Sequence, residues 1–134
     1  MSLYMLDTDI ASYLIRGDYP QIIEELRKHP NEVCISCITE AELQYGAMKR
    51  GNRRLTQKVL SFCNLIPCID WTQQAAKVYA MLRTELEAQG TPIGSMDMMI
   101  AASALAEDTT LVTNNMAHFS KVRGLKLENW VLNS

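Results

Sequence analysis

Short apolar runs alternate along this chain with longer stretches in which apolar residues recur at helical spacing. The run Leu3 to Leu6 predicts a buried strand, and Asp9 is positioned to cap a helix from Ile10 to about Arg16. "YPQIIEELRKHP" predicts a short amphipathic helix with Pro20 near its start and Pro30 at its end. "EVCIS" reads as a second strand, "ITEAELQYGAMKR" as a helix ended by Gly51, and "RRLTQKVLSFCN" as another helix. "LIPCID" predicts a third strand, at an edge or irregular because of Pro67. A long helix follows from Thr72 to Gln89, closed by Gly90. Beyond the loop "GTPIGS", "MDMMIAASALAE" is apolar enough to require burial on most sides. "TTLVT" reads as a fourth strand, "NNMAHF" as a turn into a short helix, and "LKLENW" as a last, weak strand. Strands separated by helices predict an α/β fold with a mostly parallel sheet covered on both faces.

A length of 134 residues predicts one domain over residues 1–134, large enough to bury a core. The 48% hydrophobic and 21% charged composition is that of an ordinary globular chain. No apolar stretch approaches the roughly 18 residues needed to cross a bilayer, and Asp7 interrupts the first one too early for a signal peptide. These features predict a cytoplasmic protein with no membrane association. Cys34 and Cys37 have CxxC spacing, but no second pair completes a zinc site, so they are expected to be buried, reduced thiols together with Cys63 and Cys68.

A net charge of −2 gives the molecule as a whole no general attraction for nucleic acid. The distribution alters that reading locally. Lys49, Arg50, Arg53 and Arg54 cluster in "KRGNRR", with Lys58 just beyond, either as a solvated helix end or as a patch contacting phosphates. Lys121, Arg123 and Lys126 gather near the end of the chain.

Asp7 stands where a buried strand meets its helix, and a carboxylate there needs a partner. In open α/β sheets, ligands bind at the carboxyl ends of the strands. Asp97 lies early in the most apolar helix and likewise calls for a compensating cation or exposure near the helix N-terminus. Glu42 follows Thr39 by three residues, which is capping-box spacing, yet Ile38, Tyr45 and Gly46 around it resemble a pocket wall. Thr113, Asn114 and Asn115 occupy the end of the fourth strand, where asparagines also serve simple turn chemistry. A site of carboxylates and such oxygen donors would suit Mg²⁺ or Mn²⁺ rather than zinc. His29 and His118 read as surface residues, His118 close to that site.

"MLDTDI", "ITEAELQYG", "PIGSMDMMIAA" and "LVTNNMAHF", in this order and spacing, resemble the signatures of PIN-domain ribonucleases, and more narrowly of the VapC toxins of bacterial toxin–antitoxin pairs. The resemblance covers essentially the whole chain. It implies a PIN-like three-layer sandwich with a central sheet of four to five strands. It implies Asp7, Glu42 and Asp97 as acidic ligands of Mg²⁺ or Mn²⁺, and a catalytic set completed by Asn115 where many PIN domains carry a fourth acid. Thr113, Asn114 and Asp9 would support those ligands from behind. It further implies cleavage of structured RNA such as tRNA to 5′-phosphate and 3′-hydroxyl ends. A VapB-type antitoxin and a homodimer are the implied partners, with surfaces near "LIPC" and Lys58. The substitution at Asn115 removes one negative charge, so weaker metal affinity is expected, with a second ion only when RNA phosphate is present. Two other readings remain at this point: a PIN-like module that binds RNA or protein without cutting, and a haloacid-dehalogenase-like phosphatase using "LDTD".

Overall fold

The computed structural model describes residues 2–132. Five parallel strands form one sheet in the order β3-β2-β1-β4-β5, where β1 is Tyr4–Leu6, β2 Val33–Ser36, β3 Cys68–Ile69, β4 Thr110–Val112 and β5 Lys126–Glu128. Seven helices connect them: α1 Thr8–Arg16, α2 Pro20–Arg27, α3 Cys37–Arg50, α4 Arg53–Leu65, α5 Gln73–Ala88, α6 Ser95–Ala106 and α7 Met116–Phe119.

Strand alternation sorts the core into two layers. Met5, Cys34 and Leu111 point to one face and pack with Leu82, Leu86 and the apolar side chains of α6. Leu6, Ile35 and Val112 point to the other, against Ile10, Ile22, Leu43 and Val59. Helices therefore cover both faces, as the near-continuous apolar strands require. The burial of α6 is close to complete, with Ile100, Ala101, Ala102 and Ala104 fully enclosed. Pro67 does flank an edge strand: its carbonyl accepts from Ile35 N–H, and β3 pairs only with β2. Gly90 ends α5 at φ +71°, with Thr91 N–H donating to Leu86 C=O, a conformation that an L side chain would resist.

Several expectations change in detail. The first helix starts at Thr8, and its cap is Asp7, not Asp9: Ile10 N–H donates to Asp7 Oδ1 at 2.9 Å. Asp9 already lies inside the helix. The capping box at Thr39 and Glu42 does not form, because Ser36 caps α3 through a bond from Thr39 N–H to Ser36 Oγ at 3.1 Å. Of the four cysteines, all free, only Cys34 is buried; Cys37, Cys63 and Cys68 are half-buried. His29 is half-buried and not fully exposed: it stacks on Trp130 at 5.7 Å and meets Tyr4 at 4.4 Å. No helix among the described residues is long and apolar enough to cross a membrane.

Because Ser36 is fully buried and its hydroxyl caps α3, Ser36→Ala is expected to cost about 1–2 kcal/mol, read by urea denaturation.

Candidate metal centre and adjoining groove

The carboxyl ends of three neighbouring strands converge on one pocket. Asp7 follows β1, Thr113 follows β4, and Ser36 at the end of β2 launches α3, which carries Glu42 on its second turn. Asp97 arrives from the opposite layer in the first turn of α6. The pocket, about 200 Å³, is lined by Asp7, Thr8, Asp9, Glu42, Asp97, Asn115 and Phe119. Asp7, Glu42, Asp97 and Asn115 are thus brought together from four segments of the chain. Asn114 is not among them; its Oδ1 accepts from Asn129 Nδ2 at 3.1 Å, on the exposed side of the turn.

Asp7 is the electrostatic centre of the pocket. It is only 4% exposed, and burial pushes its carboxyl up to about 7. Hydrogen bonds from the Thr113 hydroxyl and Ile10 N–H pull it down, while the negative charges of Asp9 and Asp97 raise it further. Thr113 is itself fully buried, and its Oγ1 also accepts from Asn115 N–H at 2.9 Å. The hydroxyl therefore connects the turn that carries Asn115 to the Asp7 carboxylate. Asp97 is raised as well, chiefly by burial; His118 opposes the shift and Asp9 adds to it.

Thr8 and Phe119, which sequence reasoning left out, take part, and so does His118, which it placed close to the site. Thr8 donates its hydroxyl to Glu42 Oε1 and lies 3.3 Å from Thr39 Oγ1. Phe119, 1% exposed, closes one wall. His118 places Nδ1 3.5 Å from Asp97 Oδ2 and 2.7 Å from Asn115 Nδ2, so it belongs to the pocket rim and not to open surface. Its one sequence signal was proximity to "TNN".

The donor chemistry fits a hard divalent cation. The side-chain atoms facing the pocket are mainly carboxylate, hydroxyl and amide groups, and the charges acting on buried Asp7 are both negative. The coordination sphere is nevertheless not assembled: no three His, Cys, Asp or Glu side chains among the described residues are arranged to hold an ion. Glu42 lines the pocket with one carboxylate oxygen engaged by the Thr8 hydroxyl.

A second groove shares Thr8, Asp9 and Glu42 with the pocket and runs over Leu43, Leu55 and Val59 to Arg16 and Arg50. The acidic pocket thus opens onto a floor of apolar side chains flanked by two arginines. Arg54 lies farther along, beside Ile15 and Phe62. Lys49 sits over the Tyr45 ring at 5.9 Å, and Arg53 is exposed at the start of α4. The later basic group is partly neutralised, with Arg123 paired to Glu85 and Lys126 to Asp108.

Residues 4–125 match the PIN domain family. The chain belongs to that family. It is 42% identical over 132 residues to ribonuclease VapC2 of Rickettsia felis, covering 96% of this chain and 98% of the relative. It is 35% identical over 131 residues to the tRNA(fMet)-specific endonuclease VapC of Salmonella typhimurium, covering 97% and 99%. The crystal structure of VapBC2 from Rickettsia felis bound to a DNA fragment from their promoter superposes with a TM-score of 0.89 at 39% identity, over 96% of this chain and 98% of that one. Membership of the PIN family replaces the phosphatase reading.

Proposed function

We propose that this chain is a metal-dependent endoribonuclease toxin that cleaves structured RNA, with tRNA as its substrate class. The observation that carries the reading is the pocket that brings the buried Asp7 carboxylate together with Glu42 and Asp97. The names of the two relatives support ribonuclease chemistry and, for one, a tRNA substrate. PIN-domain ribonucleases generally require a divalent metal, and Mg²⁺ or Mn²⁺ matches an all-oxygen donor set.

Asp7, Asp97 and Glu42 would hold the ion, Glu42 after giving up its bond from Thr8, and Asn115 would complete the catalytic set with an uncharged oxygen. A bound ion supplies charge stabilisation at the scissile phosphate and lowers the pKa of an attacking water. The protein's part is positional. The α1 N-terminus and the Thr113 hydroxyl fix Asp7, β4 and its turn fix Asn115, and Phe119 keeps one wall dry. Asp9 sets the local potential of Asp7 and Asp97 from inside α1. Cleavage by water held in this way leaves 5′-phosphate and 3′-hydroxyl ends. Purified protein incubated with tRNA and Mn²⁺ should yield fragments of that end chemistry. Tight binding of intact RNA with no cleavage under any divalent ion would favour the non-catalytic binding module.

Arg50 is proposed to guide the RNA backbone toward the acids, with Lys49, Arg53 and Arg54 adding contacts outside the groove. Arg50→Ala should weaken tRNA binding and reduce the slope of log affinity against log salt by roughly 1, the effect expected for one lost phosphate contact. Arg53→Ala, away from the groove, should do less. Equal effects of the two would remove Arg50 from the path.

A VapB-type antitoxin is the proposed partner, in line with the assembly in the Rickettsia felis structure. Its arginine or lysine side chain would enter the acidic pocket in place of the metal, with apolar residues on Leu43, Leu55 and Val59. We further propose that the chain acts in the cytoplasm as a single domain and as a homodimer.

A further inference from the structure

Gly46 lies inside α3, one turn beyond Glu42 and one turn before Arg50. A glycine in a helix interior costs stability relative to alanine, so its use there needs a cause. Neither backbone nor packing supplies one. Gly46 has no left-handed φ, and a Cβ built on it would meet nothing within 4 Å. The space beside it is the groove, about 160 Å³, that begins at Thr8, Asp9 and Glu42 of the acidic pocket.

Three helices bound this groove. Ser12 and Arg16 come from one face of α1, Gly46 and Arg50 from α3, and Leu55 and Val59 from α4. Leu43, Ala47 and Val59 are buried, so the floor is apolar and firmly packed. Arg16 and Arg50 are exposed, the first held by Asp18 at 3.0 Å. An apolar floor with cations at its rim suits a flat heterocycle that carries a phosphate. The ring packs on the floor, and the guanidinium groups take the phosphate oxygens. Gly46 completes that fit, because bare helix backbone admits a ring edge where a side chain would block it. RNA is thereby favoured over an apolar peptide side chain, which would use the floor but neither arginine. We propose that the groove is a subsite for one unpaired nucleobase, that of a nucleotide beside the scissile phosphate, and that Gly46 keeps it open. The proposal rests on the reading of the acidic pocket as the cleavage centre. It supplies sequence preference to a site whose acids engage only phosphate.

The test is a double-mutant cycle in which one partner is the RNA. The cut is first mapped in tRNA incubated with wild-type protein and Mn²⁺. Full-length tRNA is then assembled with an abasic nucleotide at each position flanking the cut. At one of these positions, loss of the base should slow single-turnover cleavage on the order of tenfold, the effect of one lost stacking contact. Gly46→Leu should slow cleavage of intact tRNA by a similar factor. It should slow the abasic tRNA by less than about twofold, since the base it excludes is already gone. Gly46→Ala should show an intermediate loss on intact tRNA and melt no lower than wild type, because the new methyl meets no neighbour. Should Gly46→Leu melt below wild type, the cycle is read with Gly46→Ala instead. Factors that multiply in the combination overturn the subsite, as does a loss of Mn²⁺ affinity large enough to explain the slower cleavage. A full rate for Gly46→Leu on intact tRNA overturns it too, and would leave the groove to a peptide. Cleavage by wild type with any of these results removes the subsite alone. Failure of wild type to cleave tRNA removes the reading beneath it as well.

Discussion

Replacing Asp7 with Asn is expected to abolish RNA cleavage while making the metal-free protein more stable near and above neutral pH. The carboxyl titrates near 3.8 when exposed and at about 7 in the fold. Below the first value both states are protonated, and the group contributes nothing to the pH dependence. Between the two, the unfolded chain loses its proton while the folded one keeps it, so stability falls as pH rises. Above about 7 the folded protein carries the buried charge, and the full penalty persists. Asparagine removes that charge and keeps an oxygen for Ile10 N–H, since it caps helices as well as aspartate does. The variant should match wild type near pH 4 and exceed it by about 2–4 kcal/mol at pH 8, by urea denaturation at each pH. A difference that does not change with pH would mean that Asp7 is not held as a strained charge. Cleavage should fall by roughly a thousandfold or more, the loss expected when about 4 kcal/mol of transition-state stabilisation disappears.

Glu42→Gln should cause a comparable loss of cleavage with almost no change in stability. The Gln carbonyl still accepts from Thr8 Oγ1, and the cap of α3 belongs to Ser36, so the fold loses no hydrogen bond. Stability should stay within about 0.5 kcal/mol of wild type. The charge that an ion needs is what the substitution deletes. The capping-box reading makes the reverse prediction, reduced stability with activity preserved. Thermal melts and cleavage rates on the same two proteins separate them.

The architecture was largely readable because period-2 and period-3.6 patterns hold wherever an element is long or buried. The burial of α6, the edge position of β3 beside Pro67 and the Gly90 stop are direct consequences of residue chemistry. Strand ends and helix starts placed Asp7 and Asp97, whereas the grouping of Glu42 with them came from the resemblance to PIN-domain signatures. What escaped were choices between near-equivalent local partners. "DTD" offers two good caps two residues apart, and Asp7 takes the cap because β1 ends at Leu6 and α1 begins at Thr8. Thr39 and Glu42 have capping spacing, but the helix begins two residues earlier, at Cys37, so Ser36 takes the cap and Glu42 turns to Thr8. Asn114 and Asn115 are indistinguishable as turn formers until the turn directs one to Asn129 and the other to His118. His118 itself lies on a four-residue helix, too short for periodicity to reveal which way it faces.

On the proposed mechanism, the carboxylates of one pocket hold the ion that cuts RNA. The most direct test is cleavage of tRNA under single-turnover conditions, with Mn²⁺ titrated into protein stripped of metal by chelation. Wild type should be inactive without the ion and should saturate with it, whereas Asp97→Asn should remain inactive across the titration although folded. Cleavage by stripped wild type, or an unchanged rate in Asp97→Asn, would contradict the account.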